Sequence, residues 1–311
     1  MMKLNLIVLL TLTCLFGTAA QAAPFSYVTL DIFGFTTAPN AINNLGQITG
    51  TVTDPDGANS GFVYVDPLDY TTFAFSIAST PVDTFANGIN DGGTVVGFYN
   101  SGGHSYGFVN DGGVLSDFSS PYADTVLNGI NDIGDVVGSY NASGSTNSFV
   151  KYNNGPFVEF VFPVSAVYAY AINNDGLIAG SYNDGSGSHG FTSYDGDAYD
   201  IIDIALAFAG TTYVYGINDN GDLVGQYNDA SGTHGFVRTS DGEVTTLNVP
   251  GGYNTVAVGI NNAGQVVGTY YDADGPHGFL ASPSSIPEPG PFLLIGAGLL
   301  AFAGLRKSVW Q

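Results

Sequence analysis

The chain has 311 residues, with 27 Asp and Glu against five Lys and Arg and a net charge of −22 at neutral pH. All the acids fall between Asp31 and Glu288, where Lys151 and Arg238 are the only cations, so nucleic acid is excluded as a partner on electrostatic grounds. The single cysteine, Cys14, lies in an apolar leader, which removes disulfide and thiolate-metal chemistry from the body, while 44 glycines with 21 Phe and 19 Tyr indicate strands joined by tight turns rather than disorder.

At the N-terminus, Lys3 precedes an apolar run from Leu4 to Gly17, and Ala20-Gln21-Ala22 supplies the small-x-small pattern of signal-peptidase cleavage. Residues 1–22 are therefore predicted to be a signal peptide, cut at the site formed by Ala20 and Ala22. No small residue stands immediately before Cys14, as lipid attachment would require. The next segment, Phe25 to Phe33, reads as one strand without a partner of its own.

Six copies of one unit follow. Their anchors are Ala41-Ile42-Asn43, Gly88-Ile89-Asn90, Gly129-Ile130-Asn131, Ala171-Ile172-Asn173, Gly216-Ile217-Asn218 and Gly259-Ile260-Asn261, with isoleucine spacings of 47, 41, 42, 45 and 43 residues. Each anchor Asn is followed by Gly at the third and seventh positions, and each copy carries one further Phe: Phe62, Phe108, Phe149, Phe191, Phe236 or Phe279. The third copy reads as four strands, Asp124 to Asn131, Asp135 to Tyr140, Asn147 to Tyr152 and Phe157 to Phe162. Four strands in about 42 residues is the size of a propeller blade. The last copy stops near Ala281 after its third strand, and Val28-Thr29-Leu30-Asp31-Ile32 matches Thr245-Thr246-Leu247-Asn248-Val249 of a fourth strand. The expected fold is therefore all-β, a six-bladed β-propeller over residues 23–283, closed by an N-terminal strand that completes the last blade.

The run Ile-Asn-x-x-Gly-x-(Val/Ile)-x-Gly followed by a His-Gly-Phe third strand resembles the extracellular HAF repeats over residues 25–282. The middle residue of the name motif is Gly here, and the first and third copies, Asn59-Ser60-Gly61-Phe62 and Asn147-Ser148-Phe149, lack the His. That resemblance implies an extracellular repeat protein without an established chemistry.

Residues 284–311 form a separate tail. Pro287-Glu288-Pro289, an apolar stretch to Leu305 and the terminal pair Arg306-Lys307 resemble the PEP-CTERM sorting signal of exopolysaccharide-producing Gram-negative bacteria, with fewer arginines than such tails often carry. The resemblance implies an exosortase-type processing protease as partner, transient membrane association through an apolar C-terminal helix, and delivery to the cell surface or medium. Retention as an ordinary membrane anchor is the competing reading, and export follows from both.

The only histidines are His104, His189, His234 and His277, and their regular places before the third-strand Phe predict turn caps rather than a converging metal site. No cofactor is expected. Calcium is the one cation that turns such as Asp54-Pro55-Asp56-Gly57, Asp272-Ala273-Asp274-Gly275 and Asn218-Asp219-Asn220-Gly221-Asp222 would suit, yet none completes an EF-hand loop, and Asx-Gly turns account for the same residues. No nucleophile elbow, phosphate loop or zinc-protease helix occurs, so catalytic residues are not assigned.

One position breaks the symmetry. Two residues before the anchor Ile stand Asn40, Asn87, Asn128, Tyr170, Tyr215 and Val258, and two residues earlier on the same strand face stand Ala38, Phe85, Val126, Tyr168, Tyr213 and Val256. With first strands lining a central channel, Tyr168, Tyr170, Tyr213 and Tyr215 would form one sector beside Asn40, Asn87 and Asn128, a combination suited to a sugar; core filling is the plainer alternative. The functional expectation is a secreted or surface-displayed binding protein, with extracellular polysaccharide or matrix material as ligand class. A secreted polysaccharide lyase or hydrolase and a purely structural matrix protein are the alternatives.

Overall fold

The computed structural model describes residues 24–284 except 33–34, 67–68, 143–144, 161–165, 195, 197 and 205–210. The leader with Ala20 and Ala22, and the tail with Pro287, Glu288, Pro289, Arg306 and Lys307, lie outside the described residues.

Residues Phe25–Pro283 form six four-stranded antiparallel sheets, and no helix occurs among the described residues. Blade 1 comprises Thr36–Ile42, Ile48–Thr53, Asn59–Asp66 and Asp69–Phe73. Blade 2 comprises Thr84–Ile89, Val95–Ser101, His104–Asp111 and Val114–Asp117. Blade 3 has Val126–Ile130, Val136–Ala142, Ser145–Lys151 and Phe157–Glu159, so its outer strand is shorter than the sequence predicts. Blade 4 has Ala166–Ile172, Ile178–Asn183, Ser188–Ser193 and Tyr199–Ile202, and blade 5 has Thr212–Ile217, Leu223–Asp229, Gly232–Arg238 and Val244–Leu247. Blade 6 takes Tyr253–Ile260, Val266–Tyr271 and Pro276–Pro283 from the C-terminal end of the body and Phe25–Leu30 from its start. A two-residue hairpin, Ser76–Ile77 with Thr80–Pro81, joins blades 1 and 2 and has no counterpart in the sequence reading.

The core is divided into six clusters, one at each junction between successive sheets. The sixth lies between blades 6 and 1, where Leu30, Ile32 and Val267 pack with Ile42, Ile48 and Phe62, which closes the ring. Each sheet thus has two covered faces, and the second strand pays no heed to strict alternation: Ile48 through Val52 are all buried. The six repeat phenylalanines are the largest fully buried side chains, each contributing roughly 1.5–3 kcal/mol by burial. The closing strand pairs Phe25 with Pro283 through Leu30 with Gly278, so the two ends of the body share one sheet, in which Phe25–Leu30 is the outer strand that covers the edge of Pro276–Pro283.

The Asn-Asx-x-Gly turns carry both local and inter-blade bonds. Asn43 Oδ1 accepts the Leu45 and Gln47 amides, and Gly46 closes the turn at φ +81°, a conformation glycine adopts without a Cβ penalty. Its Nδ2 also donates to Asn90 O of the next blade, and the same bond recurs from Asn90 to Asn131 O, Asn131 to Asn173 O, Asn173 to Asn218 O, Asn218 to Asn261 O and Asn261 to Asn43 O. Six buried side chains therefore link the blades in a closed circuit of hydrogen bonds.

Candidate functional site

The first strands line the central channel, and each has a register shift two residues before its anchor Ile; that of blade 6 has a second, between Tyr253 and Val256. The residues left unpaired at the shared shift are Asn40, Asn87, Asn128, Tyr170, Tyr215 and Val258, the positions where the sequence departs from the repeat. A bulge re-aims the side chain of its extra residue, and these six side chains ring one cavity of about 210 Å³. The second-strand glycine makes the bulge feasible: a Cβ at Gly50 would collide with the Ala38 carbonyl oxygen and sit 2.8 Å from Phe62 Cε1.

Around the ring the asparagines are oriented by the scaffold. Nδ2 of Asn40, Asn87 and Asn128 donates to Ala86 O, Leu127 O and Ala169 O, each at 2.8 Å. Each amide thus has one N–H engaged, and its second N–H and its Oδ1 are the groups that can meet a chamber occupant. The tyrosines form a continuous contact series: Tyr168 lies parallel to Tyr170 at 5.9 Å, Tyr170 meets Tyr215 edge-on at 5.1 Å, and Tyr215 lies parallel to Tyr213 at 6.1 Å. Burial pushes the Tyr170 hydroxyl far above the ordinary tyrosine range, and burial with the nearby Tyr213 pushes Tyr215 up to about 12, so both are neutral hydroxyls at physiological pH. Among the described residues no carboxylate or imidazole lines this cavity.

The anchor isoleucines border both this end of the channel and a polar cavity at the other. There the residue after each anchor Asn, namely Asn44, Asp91, Asp132, Asn174, Asp219 or Asn262, accepts at Oδ1 the backbone N–H of its counterpart in the preceding blade, a second closed circuit. The sequence reading recognises these residues as turn formers and misses their inter-blade role. The signal was present in the recurrence of Asn-Asx in all six copies.

The histidines cap the start of the third strand, as their spacing predicts, and do more. His189 joins Asp203 at 3.0 Å through Nδ1, His234 joins Asn248 at 2.8 Å, and His277 joins Asp31 at 2.9 Å, each partner lying just beyond an outer strand. Nε2 of His234 and His277 meets Asp229, the last residue of the second strand of blade 5, and Asp272, just after the second strand of blade 6, at 3.0 and 3.1 Å. Asp31 is thus the functional equal of Asn248, which is why the two segments share a sequence pattern. The Asp54 carboxylate accepts the Asp56 and Ala58 amides, the Asp272 carboxylate the Asp274 amide, and Asn218 Oδ1 the Asp222 amide, so these turns are organised by their own backbone; no group of three or more His, Cys, Asp or Glu converges for a metal among the described residues.

Residues 285–307 match the model of the PEP-CTERM protein-sorting motif. The motif marks the chain for export through the membrane to the cell surface or extracellular space of a Gram-negative bacterium and for processing by an exosortase. No curated protein sequence matches the chain. Among solved structures, a gluconolactonase from Xanthomonas campestris superposes with a TM-score of 0.53 at 14% identity, covering 83% of this chain and 89% of that one. A streptogramin B lyase gives a TM-score of 0.50 at 13% identity over 82% of this chain and 97% of that one. TolB from Acinetobacter baumannii gives 0.52 at 13% identity over 67% of this chain and 55% of that one, so this chain spans just over half of TolB. At these identities the likeness is one of fold alone. The chain is a surface or secreted propeller.

Proposed function

We propose that the exported propeller binds a neutral polysaccharide or matrix glycan at the tyrosine sector of its channel and performs no chemistry on it. The observation that carries this reading is the broken symmetry of the bulge ring: Tyr170 and Tyr215, with Tyr168 and Tyr213 stacked on them outside the cavity lining, share the ring with three asparagines that each have one amide N–H engaged. Aromatic faces suit the C–H face of a sugar, and free amide oxygens and phenolic hydroxyls suit its hydroxyl groups. The acidic body disfavours uronate or sulfate polymers. The likeness of the repeats to extracellular HAF repeats, and of the tail to those of exopolysaccharide producers, agrees with a matrix setting; that link is one of association.

In this reading residues 1–22 are removed by signal peptidase, 23–283 are the binding body, and 284–311 are the tail that an exosortase-type protease acts on near Pro287-Glu288-Pro289. Mass spectrometry of the protein recovered from its native medium checks both termini. Replacing Tyr170 and Tyr215 with Ala is expected to abolish retention on immobilised exopolysaccharide while the melting temperature stays within a few degrees. Unchanged retention eliminates the channel site, and release of new sugar ends from the polysaccharide would replace the binder with a lyase or hydrolase.

A further inference from the structure

We infer that the groove between blades 2 and 3 is a second sugar-binding site, built around Tyr106 and selective for neutral over acidic monosaccharides. In blades 4, 5 and 6 the residue two before the repeat Phe is a histidine that packs on the second-strand tyrosine, Tyr182, Tyr227 or Tyr270, at 5.3–5.4 Å, with its side chain only 14–20% exposed. Blade 2 departs from this. Tyr106 takes the histidine's place, stacks on Tyr99 at 5.4 Å and remains 44% exposed, and the histidine of this blade is displaced two residues outward as His104.

The displaced histidine is tied to the loop that follows blade 2. Its Nδ1 meets Asp124 Oδ1 at 2.9 Å, and the same oxygen accepts the Ser105 amide. Asp124 stands at φ +50°, a left-handed conformation that costs an L-residue energy. Opposite, Asp117 Oδ1 accepts the Tyr99 hydroxyl at 2.7 Å, and Tyr122 stacks on Tyr140 at 3.8 Å with its hydroxyl on Glu159. Tyr99, His104, Tyr106, Asp117, Tyr122 and Asp124 line a groove of about 480 Å³, while Tyr140 and Glu159 support Tyr122 from outside it. Its volume is that of a small-molecule site.

The chemistry is that of a pyranose pocket. The exposed Tyr106 ring offers a flat apolar platform, the Asp117 and Asp124 carboxylates accept hydroxyl hydrogens, and the His104 ring nitrogen away from Asp124 offers one more polar contact. No Lys or Arg lines the groove, so a sugar carboxylate would meet two carboxylates with nothing to neutralise it. This site stands on blade 2 and on the segment 118–125 that leads to blade 3, and does not depend on the channel site.

The test is saturation-transfer NMR on the full chain with glucose, galactose, mannose and fucose as neutral probes and glucuronate and galacturonate as acidic ones. At least one neutral sugar is expected to give a signal that is retained in Tyr170→Ala/Tyr215→Ala and lost at least tenfold in Tyr106→Ala and Asp117→Asn. Tyr106→His, which installs the residue three other blades carry at this place, keeps the fold testable; it too is expected to lose the signal with an unchanged melting curve. No signal from any neutral sugar, a signal indifferent to Tyr106 and Asp117, or equal signals from the uronates would each overturn the assignment. Loss only in the double channel variant would overturn it while supporting the channel reading.

Discussion

Substituting Ala for Gly50 probes the device on which the channel ring depends. The added Cβ would collide with the Ala38 carbonyl oxygen and lie 2.8 Å from both Phe62 Cε1 and Pro39 Cα, so backbone has to move. Overpacking of this kind costs about 1–3 kcal/mol, and displacing the Ala38 carbonyl removes one or two ladder bonds worth about 0.5–1.5 kcal/mol each. The expected loss is about 2–5 kcal/mol, equivalent to a fall in melting temperature of about 5–15 °C for a body of this size. Gly46→Ala in the same blade supplies the comparison: a Cβ there meets nothing within 4 Å, and only the φ of +81° opposes it, at a cost of about 1–2 kcal/mol. Urea midpoints measured side by side by circular dichroism check the difference. A Gly50→Ala protein as stable as Gly46→Ala would refute the argument that the bulge requires a glycine opposite it.

The inter-blade circuit and the histidine straps give two further expectations. Asn131→Ala removes the bond to Asn173 O and leaves the buried Asp135 amide without Asn131 Oδ1, for an expected loss of about 2–3 kcal/mol in urea unfolding; a loss below about 0.5 kcal/mol would show that the circuit is incidental. The straps predict opposite pH dependences. The Ser231 hydroxyl, with help from the Ser231 amide and His234, holds Asp229 down at about 2, so its contribution is present above the ordinary Asp value near 3.8 and disappears as pH falls toward 2. Asp31, and secondarily Asp272, raise the His277 value above 6.5, so its contribution is full below 6.5 and is lost as pH rises through the raised value. Asp31→Asn is expected to bring the His277 titration, followed by its ring-proton NMR shifts, back toward 6.5; no change would assign the shift to another group.

Much of the architecture was legible because the repeat states it six times. Spacing located the strands, the phenylalanines located the junction cores, and the likeness of Val28–Ile32 to Thr245–Val249 located the closing strand before any geometry was known. The place of the channel ring was legible as well, since only there do the copies differ between Asn, Tyr and Val. Its cause was not. A bulge is a two-strand event, and no single strand's pattern discloses that Gly50 and Asn40 answer one another. The Asn circuit was hidden for a related reason: Asn43 serves its own turn and the neighbouring blade with different atoms, and local turn chemistry already accounts for its presence. The blade 2 groove was concealed by a two-residue displacement of His104 that reads as variation within a repeat.

The division of labour within each blade explains where function can reside. Phe in the third strand fills the junction, Gly in the second admits the bulge, and Asn in the turn ties the blade to the next, so none of these can change without a cost in stability. The bulged residue is different: its backbone is accommodated by the glycine opposite and its side chain borders the channel cavity, where Asn, Tyr and Val all occur. Tyr106 is the same case at the outer edge, where the strap histidine of three other blades is absent. Both proposed sites therefore lie where the repeat's packing requirements lapse. If that reasoning holds, exchanging Tyr170 for Asn, the residue the three preceding blades carry, should leave the melting temperature within a few degrees while weakening glycan retention. A large loss of stability instead would mean that the tyrosine sector is core after all and that the channel is not a binding site.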